Sequence, residues 1–156
     1  MDLQTILNEW KKDSVIEKNH LDETSRNTPS LHAKYLQWLA EAKLSHKRAL
    51  LSQKKLLKQK WLYYNGKMSQ EEIEKTGWDY DPFDGLKVMK GEMDYYYDSD
   101  TEIQQSEERI QYWKTLIDTL TEIVDNLKWR HQTIGNMIRW RQFESGEWSR
   151  NRIQRL

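Results

Sequence analysis

Two interleaved seven-residue repeats run through the last third of the chain. Ile103, Ile110, Ile117, Val124, His131 and Ile138 recur every seven residues, and Ser106, Trp113, Leu120, Leu127, Ile134 and Arg141 recur every seven with an offset of three. That spacing keeps both lines on one side of an α-helix and predicts a long one, with β-branched residues dominating one line and leucines frequent in the other. Leu116, Ile123 and Met137 add a third line. The stripe is then wider than a two-stranded coil requires and points to bundle or multimer packing. One short chain cannot cover it alone, so a homo-oligomer larger than a dimer is expected. Ile110, Trp113, Ile117, Leu120, Val124, Leu127, Ile134 and Ile138 are its candidate oligomerisation residues.

The rest of the chain also reads as helical. Leu3, Ile6, Leu7 and Trp10 share a face and predict a short opening helix over Leu3 to Lys12. A second long helix is expected to start at Thr28-Pro29, with Pro29 at the first helical position, or at Leu21 with a kink at Pro29. It should stop at Asn65-Gly66. On a helical wheel Leu31, Tyr35, Trp38, Leu39, Ala42, Ala49, Leu50, Leu56, Leu57 and Tyr64 form one stripe. Lys43, Lys47, Lys54 and Lys58 fall within about 60° of one another on the other side. Ser69 to Glu72 and Ser99 to Glu102 match capping boxes and predict helix starts. Gly77, Pro82, Gly85 and Gly91 break periodicity between them. There Leu86 to Met89 and Met93 to Tyr97 read as a short β-hairpin, over 86–97. Ser145-Gly146 should close the last helix. The fold class is therefore mainly α: elongated, with long amphipathic helices, the C-terminal one in an oligomeric bundle or ring.

Composition agrees. Apolar residues make up 37% and charged residues 32%, with a mean hydropathy of −1.02. Those values suit narrow apolar seams better than one large core, while eight Trp and eight Tyr are too many for a disordered chain. No run approaches the ~20 apolar residues of a membrane span, and the N-terminus carries no secretory signal. The absence of cysteine removes disulfides and thiolate metal sites.

Net charge is zero, but its distribution is not uniform. Lys43 to Lys67 holds eight cations and no carboxylate. Glu71 to Arg109 holds thirteen carboxylates against four cations, and Lys128 to Leu156 seven cations against two carboxylates. Within the first zone, Lys54 to Gly66 interleaves cations with Trp61, Tyr63 and Tyr64. Single-stranded nucleic acid requires that combination, because lysines neutralise phosphates and ring faces stack on unpaired bases. Lys47, Lys54, Lys55, Lys58 and Lys60 are the candidate phosphate contacts and Tyr63 the candidate stacking residue; Trp61 and Tyr64 read as partly core. The competing reading is a solvated lysine face over an aromatic core. Lys128 to His131 and Arg139 to Phe143 form a second basic-aromatic patch, which also suits packing between subunits.

Asp79-Tyr-Asp81-Pro-Phe-Asp84-Gly85 suggests a calcium loop. Phe83 occupies a ligand position and Lys90 stands where the bidentate Glu belongs, so no metal is expected. No phosphate loop, nucleophile elbow or metalloprotease motif is present, and the four His are scattered. No enzyme activity and no cofactor are predicted.

The order of several short motifs resembles the phage UvsY recombination mediators. They are Leu31, Tyr35-Leu36, Gln53-Lys54-Lys55, Leu57-Lys58-Gln59-Lys60, Tyr63-Tyr64-Asn65-Gly66, Gln111-Tyr112-Trp113, Met137-Ile138-Arg139 and Arg141-Gln142-Phe143-Glu144-Ser145-Gly146. The resemblance spans Leu3 to Gly146, is weakest between Lys67 and Asp100, and does not extend to the basic tail. It implies a ring-like homo-oligomer, a hexamer or heptamer, assembled through C-terminal helices. It also implies a protein that binds and wraps single-stranded DNA and helps a RecA-like, UvsX-type phage recombinase displace the phage single-strand-binding protein. The processes would be recombination, repair and recombination-dependent replication in the host cytoplasm. The family's DNA-binding basic pair falls on Lys58 and Lys60. Three segments follow: a DNA-binding region over 1–66, an acidic connector over 67–98, and an oligomerisation helix with basic tail over 99–156. The alternative is a non-enzymatic coiled-coil structural or adaptor protein whose basic face is only solvated.

Overall fold

The computed structural model describes residues 1–146; the basic tail expected over 147–156 lies outside them. Five α-helices and no strand occur among the described residues: α1 (Leu3–Asp13), α2 (Leu21–Tyr64), α3 (Gln70–Thr76), α4 (Met93–Ser99) and α5 (Thr101–Glu144). The expected mainly α class holds. The chain forms two compact units, Met1–Ala42 with the chain from Thr115 onward, and Lys43–Lys114. This partition cuts across α2 and α5, whereas the segments 1–66, 67–98 and 99–156 follow helix ends; a 44-residue helix can serve two packed groups.

In the first unit, the Asp2 carboxylate caps α1 by accepting the Thr5 N–H at 2.9 Å. The unit's core is Ile6 of α1, Leu21, Tyr35, Leu39 and Ala42 of α2, and Leu116, Leu120, Ile123, Val124, Leu127 and Ile134 of α5, all buried. Helix α2 starts at Leu21, not at Thr28-Pro29, and Pro29 lies inside it. Pro29 lacks the N–H that would reach the Ser25 carbonyl, and one residue earlier Thr28 Oγ1 donates to the Thr24 carbonyl at 2.8 Å. Polar groups tie α1 down. Lys34 pairs with Glu9 and Asp13, each at 2.9 Å, and the Tyr35 hydroxyl donates to Asp13 at 2.8 Å. Buried Arg130 of α5 donates to the carbonyls of Asp13 and Val15 at 2.8 and 3.1 Å. It thereby satisfies acceptors at the end of α1 that no helical N–H reaches.

In the second unit, α2 ends as expected at Asn65-Gly66. Gly66 adopts φ +67°, its N–H donates to the Tyr63 carbonyl, and the Lys67 N–H donates to the Leu62 carbonyl at 2.9 Å. This left-handed cap is open to glycine without steric cost. Ser69 and Glu72 form the expected reciprocal capping box at the start of α3. The predicted hairpin over 86–97 is not formed, because Met93 to Tyr97 is part of α4. A strand would send Tyr96 and Tyr97 to opposite faces. In the helix both rings reach Tyr64, at 5.8 and 6.4 Å between centroids. Phe83 completes the cluster, 4.7 Å from Tyr96. The second cap also differs from expectation. Ser99 closes α4, and Asp100 caps α5, its Oδ1 accepting the N–H groups of Glu102 and Ile103 at 3.0 Å each.

Candidate nucleic-acid interface

The second half of α2 presents one face rich in cations and free of carboxylates. Lys43, Lys47, Arg48, Lys54, Lys55 and Lys58 are all exposed, and none forms an ion pair among the described residues. Lys47, Lys54 and Trp61 follow one another at seven-residue steps, roughly 10 Å apart along the helix. Leu44, Leu51 and Lys58 make a parallel line. Leu44 and Leu51 are also exposed, so the face alternates charge with apolar surface. Like charges left unpaired at this density repel one another; a polyanion would neutralise them and release its own counterions.

Two of the sequence-selected residues lie elsewhere. Lys60, expected to meet a phosphate, is 4% exposed. Its Nζ pairs with Asp100 Oδ2 at 2.9 Å and Glu102 Oε1 at 3.5 Å, and sits over the Trp78 ring at 3.9 Å from its centroid. The reason is angular: two residues of helix separate Lys58 from Lys60, about 200° of rotation, so one faces out when the other faces in. Tyr63, expected to stack on a base, is 7% exposed, and its hydroxyl donates to the Asp79 carbonyl at 2.6 Å. By the same rotation Trp61, read as partly core, is 41% exposed.

Lys60 belongs to a compact polar cluster. The Tyr64 hydroxyl donates to the same Asp100 Oδ2 at 2.5 Å, and Trp78 Nε1 donates to Glu102. Burial alone would raise the Asp100 carboxyl, but hydrogen bonds from Tyr64, Lys60 and the Ile103 N–H outweigh it and hold it below the usual carboxylate range. The Tyr64 phenol is pushed well above its ordinary value by burial and by the Asp100 carboxylate it faces. Neither group is poised to exchange protons near neutrality. The cluster's donors and acceptors are engaged with one another. Sequence reading missed Asp100, whose only signal was its place in a weak capping pattern.

The candidate oligomerisation residues divide likewise. Leu120, Val124, Leu127 and Ile134 are buried within the single chain, because the first unit's own α1 and α2 residues complete that core. Ile110, Trp113 and Ile117 are half-buried, and Ile138 is exposed. The larger open apolar surface on α5 is Trp129, Trp140 and Phe143, all exposed, with the Trp140 and Phe143 rings stacked at 5.6 Å. The C-terminal basic-aromatic patch is thus split: Arg130 turns inward to α1, while Lys128, Trp129 and His131 face outward.

No group of three or more metal-ligating side chains occurs among the described residues. Asp81 of the acidic loop accepts the Gly85 N–H at 2.8 Å and so closes its own turn. No described helix is long and apolar enough to cross a membrane.

A family model described as "Recombination, repair and ssDNA binding protein UvsY" matches residues 9–147. The "Recombination protein uvsY" of Enterobacteria phage T4 is 27% identical over 147 residues, which span 94% of this chain and 100% of that protein. Two crystal structures of the bacteriophage T4 recombination mediator protein UvsY share the fold. They have TM-scores of 0.77 and 0.75 and identities of 26% and 25%, and cover 93% and 92% of this chain and 98% and 99% of theirs. With the family model matching residues 9–147 and the fold shared over 93% of the chain, the chain belongs to the UvsY family of recombination mediators.

Proposed function

We propose that this protein binds single-stranded DNA through the exposed cationic face of α2 and helps a RecA-like phage recombinase replace the phage single-strand-binding protein on that strand. The observation that carries the reading is the set of six exposed cations, Lys43 to Lys58, with no carboxylate partner among the described residues. Lys47, Lys54, Lys55 and Lys58 are the proposed phosphate contacts. Contacts to phosphates hold a strand without reading its sequence, as a mediator of recombination on any strand requires. Lys60 would act indirectly, by holding Asp100 and with it the start of α5.

A single basic helix binds weakly and with strong salt dependence. Repeating it around a ring of identical subunits, a hexamer or heptamer, raises affinity through effective concentration without new chemistry. Trp129, Ile138, Trp140 and Phe143 supply exposed apolar surface for that assembly, and Ile110, Trp113 and Ile117 are half-buried. No catalytic step is assigned to the chain, and its place of action is the host cytoplasm. The test is filament nucleation by the recombinase on strands already covered by single-strand-binding protein. Adding this protein should shorten the lag, and Lys54→Ala with Lys58→Ala should abolish the effect. An unchanged lag with wild-type protein would favour the adaptor reading, in which the exposed α5 aromatics dock a protein partner.

A further inference from the structure

We infer that Trp61 is the base-stacking platform of the DNA-binding face. This inference rests on the single-stranded-DNA reading and adds to it the residue that would distinguish an unpaired base from bare backbone. Trp61 is 41% exposed. It continues the line of Lys47 and Lys54 by one further seven-residue step and stands three residues after Lys58, so it shares their side of α2.

The ring is also held in place. The turn at Gly66 reverses the chain so that Lys67 Nζ lies 4.3 Å from the Trp61 centroid. That turn type commonly brings the residue after the glycine back onto the last helical turn. Here the returning residue is a cation, so one face of the indole carries a positive charge and no second ring or cation engages Trp61 among the described residues. A base stacked on the other face would complete a cation–ring–base sandwich, with its phosphate near Lys67 and Lys58. Other aromatics of this unit fit less well. Tyr63 is buried with its hydroxyl committed to Asp79. Tyr80 and Tyr95 are more exposed, but Asp79, Asp81 and Asp94 adjoin them in sequence and would repel phosphates.

The experiment compares two probes of equal length, oligothymidylate and an abasic deoxyribose-phosphate strand, each titrated with the full chain at several salt concentrations. Wild type should bind oligothymidylate on the order of tenfold or more tighter than the abasic strand. Trp61→Ala should bring the two affinities together while leaving the salt slope unchanged, and Trp61→Phe should retain part of the preference. Lys58→Ala should do the reverse, lowering the slope and keeping the preference. A second measurement needs no variant: light-induced crosslinking of wild type to a bromodeoxyuridine strand should map to the peptide containing Trp61. Trp61→Ala with the wild-type preference, or crosslinks only outside that peptide, would overturn the inference. Failure of wild type to bind either probe would instead overturn the DNA reading itself.

Discussion

Lys60 Nζ lies 2.9 Å from one carboxylate oxygen of Asp100, and the other oxygen of that carboxylate caps α5. One side chain thus ties the end of the basic helix to the start of the next long one. Both partners are nearly inaccessible, at 6% and 4% side-chain exposure. Removing one leaves the other charged and buried, at a cost of about 3–5 kcal/mol. Lys60→Ala and Asp100→Ala should each lower stability by roughly that amount in urea denaturation, and their effects should fall well short of additive in the double variant. Lys60→Ala should leave the salt slope of DNA binding unaltered under conditions where the variant is folded.

The same carboxylate links stability to pH. Its native pKa is held below the ordinary carboxylate range, so the folded state favours the charged form. That contribution is complete above the unfolded value of about 3.9, and is lost as pH falls through the native value below it. The urea midpoint of wild type should therefore exceed that of Asp100→Asn most at neutral pH. The gap should narrow on acidification below about pH 4. A constant gap from pH 7 to pH 3 would assign the difference to shape rather than charge.

In the proposed ring, assembly and folding would draw on different residues of α5. Leu120 and Leu127 are buried in the single chain, and Leu→Ala at such sites costs about 2–5 kcal/mol. Leu120→Ala should lower the thermal midpoint, and a charge there should prevent folding. Trp140→Glu with Phe143→Glu should instead preserve helicity and reduce the mass measured by light scattering. Full-size particles from that double variant would move the assembly surface to Ile110, Trp113 and Ile117.

Much of the fold was legible because periodicity reports burial directly. Leu120, Leu127 and Ile134, three members of one seven-residue line, are buried, the stop at Asn65-Gly66 is where the glycine placed it, and Tyr35, Leu39, Ala42 and Ala49 line the inner face of α2. What escaped had causes beyond the local pattern. Lys58 and Lys60 are alike in type, as are Trp61 and Tyr63, but each pair straddles the helix; the wheel sets Lys60 near the apolar edge, while its partner Asp100, and Asp79 for Tyr63, lie far along the chain. The segment Met93 to Tyr97, expected as one strand of a hairpin, is the helix α4, in which Tyr96 and Tyr97 both pack on Tyr64.

The central claim is that the cations on the outer face of α2 hold the strand. It is tested most directly by the salt dependence of binding to a single-stranded oligonucleotide, with wild type beside Lys54→Ala, Lys58→Ala. These side chains are exposed and unpaired, so circular dichroism and particle mass should not change. The slope of log affinity against log salt should fall by roughly 0.7 per lost contact per engaged subunit, equally for every sequence tried. A folded, full-sized double variant with wild-type affinity and slope would contradict the account.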